Sequence, residues 1–419
     1  MRYSGIICGM LVISSAAFGQ TSWTKWGGAP VLPVGGHGEW DDYRCAPASV
    51  VATDSGYALY YNGMTATTNW LLGVATSPDG YSWTRHESSP LASPDGWTPY
   101  APYGPEVLPD MGTGGWMMFG TRYGAAEFYD VCRAFSADGI HWWMDPAEPV
   151  FESGPSGAWD DANIFLPSIL EWRDTLWMTY SAYDEVEAIR GMGLAFSLDQ
   201  GETWTRDPAN PVFVPSPSPA WDHYVWDTRV AMWSESLFVM VYSGSSSASG
   251  IPSIGVATSP DLHQWTRAPN NPVLRRGTPS AWDNYVVYQP ILADLGGQKV
   301  IYYCGINSAG IGAIGLAVQS TSDMPGGQTA WLPQNIALTA FPNPFNPSTT
   351  IVFTLPQPSH IQLTVWDILG RQVAVLKDGW LPSGESKITW KADGLCSGTY
   401  YVRLDADGMQ IVRPIMLVK

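Results

Sequence analysis

Short apolar runs alternate with small and polar residues along most of the chain, and no stretch sustains a helical period. Phe238-Val-Met-Val-Tyr242 is followed by Ile254-Gly-Val-Ala257, and Val300-Ile-Tyr-Tyr303 by Ile314-Gly-Leu-Ala317. Runs of this length, bounded by Gly, Pro, Asn and Ser, predict β-strands joined by tight turns. The pattern also repeats. Ser77-Pro-Asp-Gly-Tyr-Ser-Trp83-Thr-Arg85 returns as Ser136-Ala-Asp-Gly-Ile-His-Trp142, Ser197-Leu-Asp-Gln-Gly-Glu-Thr-Trp204-Thr-Arg206 and Ser259-Pro-Asp-Leu-His-Gln-Trp265-Thr-Arg267. A truncated copy, Ser22-Trp23-Thr-Lys25, stands near the start, and the five tryptophans are spaced by 60, 59, 62 and 61 residues.

Each unit carries a Trp-Asp loop (Trp40-Asp41, Trp159-Asp160, Trp221-Asp222, Trp282-Asp283), then an apolar strand, a Tyr-rich strand and a strand of small residues. The Ser-x-Asp-Gly turn leads into a fourth strand holding Trp-Thr-Arg. Four short strands per repeat describe a blade of a β-propeller. After Ala317 no further Trp-Thr-Arg follows, whereas Ser22 to Lys25 supplies one with no blade before it. The expected fold is all-β: a five-bladed β-propeller closed by the N-terminal strand. If the innermost strand runs from top to bottom, the Trp-Asp loops lie on the top face. The Asp-Gly turns then fall on the bottom, where Asp caps the turn and Trp fills the gap between blades.

The ends add three segments. Met1-Arg2, the apolar run Ile6 to Ile13 and the small residues Ala16, Ala17 and Gly19 read as a signal peptide over 1–19. The propeller then covers 20–320, and the Pro/Gly-containing stretch 321–340 reads as a linker. Alternating strands over 341–419 predict a small immunoglobulin-like β-sandwich. No later apolar run approaches the roughly 20 residues of a membrane span. Charge is uneven: the first 340 residues hold 14 Lys and Arg against 32 Asp and Glu, the remainder seven against six. That excludes nucleic acid and anionic membrane as partners and suits a neutral or cationic ligand. Cys45, Cys132, Cys304 and Cys396 show no metal-like spacing. An oxidising destination permits a Cys45–Cys304 disulfide between adjacent repeats, and buried free thiols are the other reading.

The tail resembles the C-terminal sorting domain of the type IX secretion system, through Phe341-Pro-Asn-Pro-Phe-Asn-Pro, Trp366-Asp-Ile-Leu-Gly-Arg371, Gly398-Thr-Tyr-Tyr401 and Leu417-Val-Lys419. The resemblance implies recognition by that machinery and a secreted or cell-surface location in a Gram-negative bacterium. The repeats resemble the arabinanase, levansucrase and invertase glycosidases, whose carboxylates stand at the starts of inner strands. Such a pair flanks the scissile bond, one protonating the leaving oxygen and the other attacking or activating water. The family's Asp-Pro of the first and third blades is replaced by Ala46-Pro47 and Leu166-Pro167. Its fourth-blade acid matches Asp227 in Trp226-Asp-Thr-Arg229, with Arg229 in place of the proline, and Gly104-Pro-Glu106 echoes its second-blade motif.

The expected catalytic residues are Asp227 as acid and Asp42 or Asp161 as base or nucleophile, since these do not repeat from blade to blade. Arg44, Arg122, Arg229, Glu106, Glu185 and Gln289 are expected to orient the sugar, and Trp97, Tyr103, Trp226 and Tyr288 to stack on it. The expected activity is hydrolysis of an extracellular poly- or oligosaccharide. A carbohydrate-binding propeller without turnover is the alternative. A sialidase-like enzyme is a third reading, from the Asp-box likeness of Ser197 to Trp204. No cofactor is expected. So many oxygens near the axis are compatible with a structural calcium, although no ligand motif is present.

Overall fold

The computed structural model describes residues 22–94, 97, 101–110, 114–123, 129–183, 191–234, 236–319, 337–355, 359–368, 370–381, 384–392, 394–406 and 409–419. The expected signal peptide lies outside them. The chain divides into two compact units between Asp323 and Met324.

The first unit is built entirely from strands among the described residues. β1 (Trp23–Lys25) is followed by β2 (Arg44–Thr53), β3 (Gly56–Met64), β4 (Leu71–Ser77) and β5 (Thr84–Arg85), paired in that order from β2. The same antiparallel array recurs in β6 (Tyr103–Pro109), β7 (Trp116–Tyr123), β8 (Tyr129–Ser136) and β9 (Trp143–Met144). It recurs again in β10 (Asn163–Trp172), β11 (Thr175–Tyr183), β12 (Gly191–Ser197) and β13 (Thr205–Arg206), and in β14 (Tyr224–Ser234), β15 (Leu237–Ser245), β16 (Ser253–Ser259) and β17 (Thr266–Arg267). The last array, β18 (Val286–Leu295), β19 (Gln298–Ile306) and β20 (Gly312–Gln319), takes β1 as its outer strand. β2 lies beside β6, β6 beside β10, β10 beside β14, β14 beside β18 and β18 beside β2.

The repeat has a physical reason at each position. In the turns, Asp79 Oδ1 accepts the Tyr81 and Ser82 amides and Asp138 Oδ1 those of Ile140 and His141. The following Trp rings pack against the neighbouring array: Trp83 on Tyr302, Trp142 on Tyr60 and Trp204 on Phe119. At the opposite end, the buried Asp41, Asp160 and Asp222 accept from Tyr61, Tyr180 and Tyr242 hydroxyls at 3.0, 2.9 and 3.0 Å. Each also accepts from the arginine of its own Trp-Thr-Arg strand, Arg85, Arg206 or Arg267, at 2.8, 2.8 and 2.6 Å. In the last array Asp283 meets Tyr303 and Lys25, the latter from β1. The truncated first copy thus supplies the cation that its array would otherwise lack.

A bulge breaks the pairing of every first strand: at Pro47/Ser49, Tyr103/Glu106, Phe165/Ser168, Trp226/Arg229 and Tyr288/Ile291. Gly104, Leu166, Asp227 and Gln289 sit in these bulges with φ of 51°, 54°, 54° and 48°. A bulge leaves an amide outside the ladder, and the second strand of the preceding array accepts it. Gly104 N donates to Asn62 Oδ1, Leu166 N to Thr121 Oγ1 and Gln289 N to Ser243 Oγ. Between β19 and β2 the corresponding residues are Cys304 and Pro47, and Pro47 has no amide hydrogen to donate. One layer further along the strands, Ser49 bridges to Val107 and Ser168 to Val230. Glu106 takes hydroxyl donors from both serines at 3.1 and 3.4 Å and lies 3.7 Å from Arg229. Arg229 is buried and donates to the carbonyls of Pro167 and Gly104, so one side chain ties three arrays together.

In the second unit, β21 (Ala337–Phe341), β22 (Ser348–Leu355) and β25 (Gly384–Lys391) form one sheet. The other holds β24 (Gln372–Leu381), β23 (Ser359–Asp367), β26 (Gly398–Ala406) and β27 (Met409–Leu417), in that order. Ile351, Phe353, Leu363, Val365, Val402 and Ile415 form a common core between them. β21 begins at Ala337, inside the stretch expected to be linker. The sequence hid this strand because Ala337-Leu-Thr-Ala-Phe341 is short and follows directly on the Pro- and Gly-containing stretch.

Two outcomes follow from these contacts. Asn62 Nδ2 donates to Pro102 O at 2.8 Å while its Oδ1 accepts Gly104 N. Asn62→Ala strands both groups in the interior and is expected to lower unfolding free energy by about 1–3 kcal/mol, read from a denaturant midpoint. Burial outweighs the Arg229 charge and the two serine donors and raises the Glu106 carboxyl to about 7. Between the unfolded value, about 4.3, and that folded value, the native state holds more protons, so wild-type stability falls as pH rises through the window. Glu106→Gln is expected to match wild type near pH 4.5 and to exceed it progressively by pH 8. A difference that stays flat over this range would refute the assignment.

Candidate functional site

The first strands all start at the same end of their arrays, and the polar residues gather at two levels between them. The upper level belongs to the bulges. Asp227 is 5% exposed, and its Oδ2 accepts from Ser243 Oγ at 3.0 Å and from Gln289 N at 3.3 Å. Burial raises its carboxyl to about 6, against the pull of Ser243, Gln289 N and Arg229. Gln289, from β18, donates its Nε2 to the hydroxyl of Tyr103, from β6. β18 and β6 are not neighbours, so this bond crosses the space the first strands surround. Burial pushes the Tyr103 hydroxyl far up, and the nearby Asp227 charge adds to the shift.

Directly before the bulges stand Tyr103, Phe165, Trp226 and Tyr288, all half-buried, which leaves aromatic surface accessible around Asp227. Trp70 packs on Tyr103 with ring centroids 5.9 Å apart, and Tyr129 on Phe165 at 6.4 Å. Phe165 was absent from the expected site because it reads as ordinary strand text. Only its register with Tyr103, Trp226 and Tyr288 gives it away. Asp130 was missed for the same reason. It follows Tyr129 on β8, faces Arg122 at 3.9 Å, and is raised by burial and Glu152 to about 6.

The lower level is the Glu106–Arg229 layer, which opens onto a cavity of about 220 Å³. Val50, Leu170, Met232 and Leu292 line its walls, all downstream of the bulges, and Asp227, Gln289 and Tyr103 are not among its lining residues. Glu106 therefore faces the lower cavity in the same layer as Arg229, and Asp227 precedes Arg229 by two residues on β14.

Other expected site residues are placed elsewhere. Asp42 Oδ2 accepts Gly38 N and Asp161 Oδ2 accepts Gly157 N, each four residues back in its own loop, so both close turns although they do not repeat as residue types. Trp97, expected to offer a ring face to sugar, is instead fully buried with Tyr60, Leu72 and Cys132, over Gly120. Gly120 stands where the other arrays carry Tyr61, Tyr180, Tyr242 and Tyr303, and the missing ring leaves the room that Trp97 fills. Arg44 Nε donates to Gly310 O, and its guanidinium lies 5.0 Å from the Tyr43 ring. Arg229 does not occupy the proline position of its bulge. Thr228 does, which puts Asp227 level with Gly104, Leu166 and Gln289. Glu185 lies outside the described residues. Cys45, Cys132 and Cys304 are buried free thiols, so no Cys45–Cys304 disulfide is formed. No group of three or more His, Cys, Asp or Glu among the described residues is arranged to hold a metal ion.

Comparison with known proteins gives a match for each unit. Residues 339–418 match the family described as "Secretion system C-terminal sorting domain". Two proteins of Mycobacterium tuberculosis, from strains CDC 1551 / Oshkosh and ATCC 25618 / H37Rv and both described as uncharacterized, are 32% identical over 122 residues. The match covers 27% of this chain and 40% of theirs, so the chain spans less than half the length of these curated relatives. Among solved structures, one described as "Glycoside hydrolase" superposes with a TM-score of 0.55 at 18% identity, covering 74% of this chain and 94% of that one. Another, described as "The GH130 family of mannoside phosphorylases contains glycoside hydrolases that target beta-1,2 mannosidic linkages in Candida mannan", gives 0.58 at 17%, covering 74% and 96%. An N-acetylgalactosamine deacetylase from F. plautii, in complex with blood group B trisaccharide, gives 0.54 at 17%, covering 72% and 96%. At these identities the likeness speaks for fold alone. The chain joins an all-β body with a propeller-like fold, similar to that of glycoside hydrolases, to a type IX sorting tail.

Proposed function

We propose that residues 20–320 form a five-bladed β-propeller closed by β1, and that it acts on an extracellular poly- or oligosaccharide as a glycoside hydrolase with Asp227 as general acid. The C-terminal unit is proposed to be an immunoglobulin-like sandwich that carries the address for type IX export, after a signal peptide over 1–19 directs the first membrane crossing. The observation that carries the catalytic reading is Asp227 itself. It is a buried acid raised to about 6, beneath half-exposed aromatic rings. A carboxyl of that strength stays protonated in weakly acidic surroundings and is matched to donating a proton to a leaving oxygen. Asp130, beside Arg122 and next to the ring pair of Tyr129 and Phe165, is the proposed second carboxylate. The glycosidase and sugar-binding descriptions of the similar structures support the substrate class.

A second reading, carbohydrate binding without turnover, is favoured by one feature. Glu106 faces the lower cavity and Asp42 and Asp161 close their own loops, and the remaining candidate partner for Asp227, Asp130, stands on a third strand and is paired with Arg122.

The deciding experiment is a sugar-release screen of the purified chain against mannans, arabinans, xylans and fructans, with Asp227→Asn in parallel. Asparagine keeps an oxygen for Ser243 and Gln289 N, so the variant is expected to fold while kcat/KM drops by roughly 100-fold or more. Binding of one glycan with no release by either protein would instead establish the non-catalytic reading. The tail is tested separately. In a host with type IX export, a chain ending at residue 338 is expected to remain in the cell envelope, and its appearance in the medium would remove the sorting role.

A further inference from the structure

Gln289 shares its bulge conformation with Gly104, Leu166 and Asp227, but it alone of the four leaves a buried side-chain atom without a partner among the described residues. It is 6% exposed and left-handed, with φ 48°. Its amide is bound to Ser243 Oγ and Asp227 Oδ2, and its Nε2 to Tyr103 across the central space. Its remaining polar atom, Oε1, is buried and has no partner among the described residues. The backbone conformation is that of the other left-handed bulge residues, Leu166 included, but a buried acceptor without a donor is destabilising. It persists at the point where Asp227 and the aromatic rings converge, and it points to a ligand that supplies the missing donor.

We infer that Gln289 Oε1 accepts a hydrogen bond from a ring hydroxyl of the bound sugar, so that the site takes a neutral sugar with this hydroxyl free and rejects its acidic or O-substituted counterpart. The inference rests on the reading of this level as a carbohydrate site, but not on turnover. An acidic sugar would place its carboxylate against an acceptor oxygen and the Asp227 carboxyl. Of the cations nearby, Arg229 is committed to Pro167 O and Gly104 O, Arg44 donates its Nε to Gly310 O, and Arg122 pairs with Asp130 at 3.9 Å while its buried Nε has no partner among the described residues. The acidic balance of the first 340 residues adds repulsion at longer range. A site built to accept from a hydroxyl discriminates strongly against an analogue lacking it, because its own polar group is then left unpaired.

Calorimetry on the full chain with methyl glycosides of mannose, galactose, glucose, arabinose and xylose, and of the matching uronic acids, tests this directly. At least one neutral glycoside is expected to bind, the uronosides are not, and the 3-, 4- or 6-O-methylated form of the neutral ligand is expected to be weakened. Gln289→Met keeps the length and removes the acceptor, and is expected to weaken binding about tenfold or more. Gln289→Glu keeps an acceptor oxygen and, below about pH 5 where its buried carboxyl is protonated, is expected to stay within a few-fold of the parent. Thermal midpoints of both variants separate lost binding from lost fold. Unchanged binding by Gln289→Met overturns the inference, as do preference for a uronoside and failure of every neutral glycoside to bind. Loss in Gln289→Glu equal to that in Gln289→Met at that pH overturns it too, because the free atom would then be a donor. Neutral-sugar binding without release from any polysaccharide would sink the hydrolase reading and leave this one standing.

Discussion

The first unit depends on a hydrogen bond between arrays rather than within them. Every first strand carries a bulge, and every bulge exposes an amide that the sheet cannot satisfy. Asn62, Thr121 and Ser243 reach from the second strand of one array to that amide in the next. The donors and acceptors are backbone and short side chains, so the spacing between arrays is set within tenths of an ångström. At the β19–β2 junction the requirement vanishes with Pro47, and the position that elsewhere holds Asn, Thr or Ser is free to be Cys304. The exception follows the same accounting as the rule.

This constraint also makes the site. In every array but the first, where Pro47 holds the position, the bulge turns one residue into the left-handed region, where side chains are re-aimed out of the usual strand alternation. In two arrays the turned residue is Gly104 or Leu166, with no chemistry to offer. In two others it is Asp227 or Gln289, and the bond that anchors the Gln289 amide also touches the Asp227 carboxylate. The Asp227 carboxyl is therefore fixed by the same contacts that hold neighbouring arrays together. Preorganisation of this kind is needed if a proton donor is to meet a leaving oxygen without rearrangement.

Much of the fold was legible because its parts recur. The Asp-capped turns, the Trp rings between arrays and the capture of β1 by β20 all follow from text that repeats with a steady period. The tail was legible from motifs that have no counterpart elsewhere in the chain. The site was legible only where a residue stood beside a marker. Asp227 was reached by its place in the repeat, but its register was misread by one residue, since Thr228 stands where the other arrays offer Pro105, Pro167 and Pro290. Asp42 and Asp161 looked promising because they do not recur as residue types. What recurs is their task of closing a loop, for which asparagine or histidine serves in other arrays. Trp97 misled for a related reason: the glycine that makes room for it lies in a different strand. Phe165 and Asp130 carried no signal at all, since only pairing register reveals what shares a level with them.

Arg229 acts on both acids of the centre. In the upper level, Asp227 is raised by burial but keeps two hydrogen-bond donors, so that it titrates near 6. In the lower level, Glu106 is raised further even with Arg229 and two serines beside it, because its surroundings are the aliphatic walls of the lower cavity. The buried Arg229 charge pulls both acids down, but the cost of burying each carboxylate is larger and sets the direction of the shift. The consequence is a centre whose two acids are largely neutral below about pH 6, with one positive charge beside them. That charge belongs to the same residue that ties three arrays into one body.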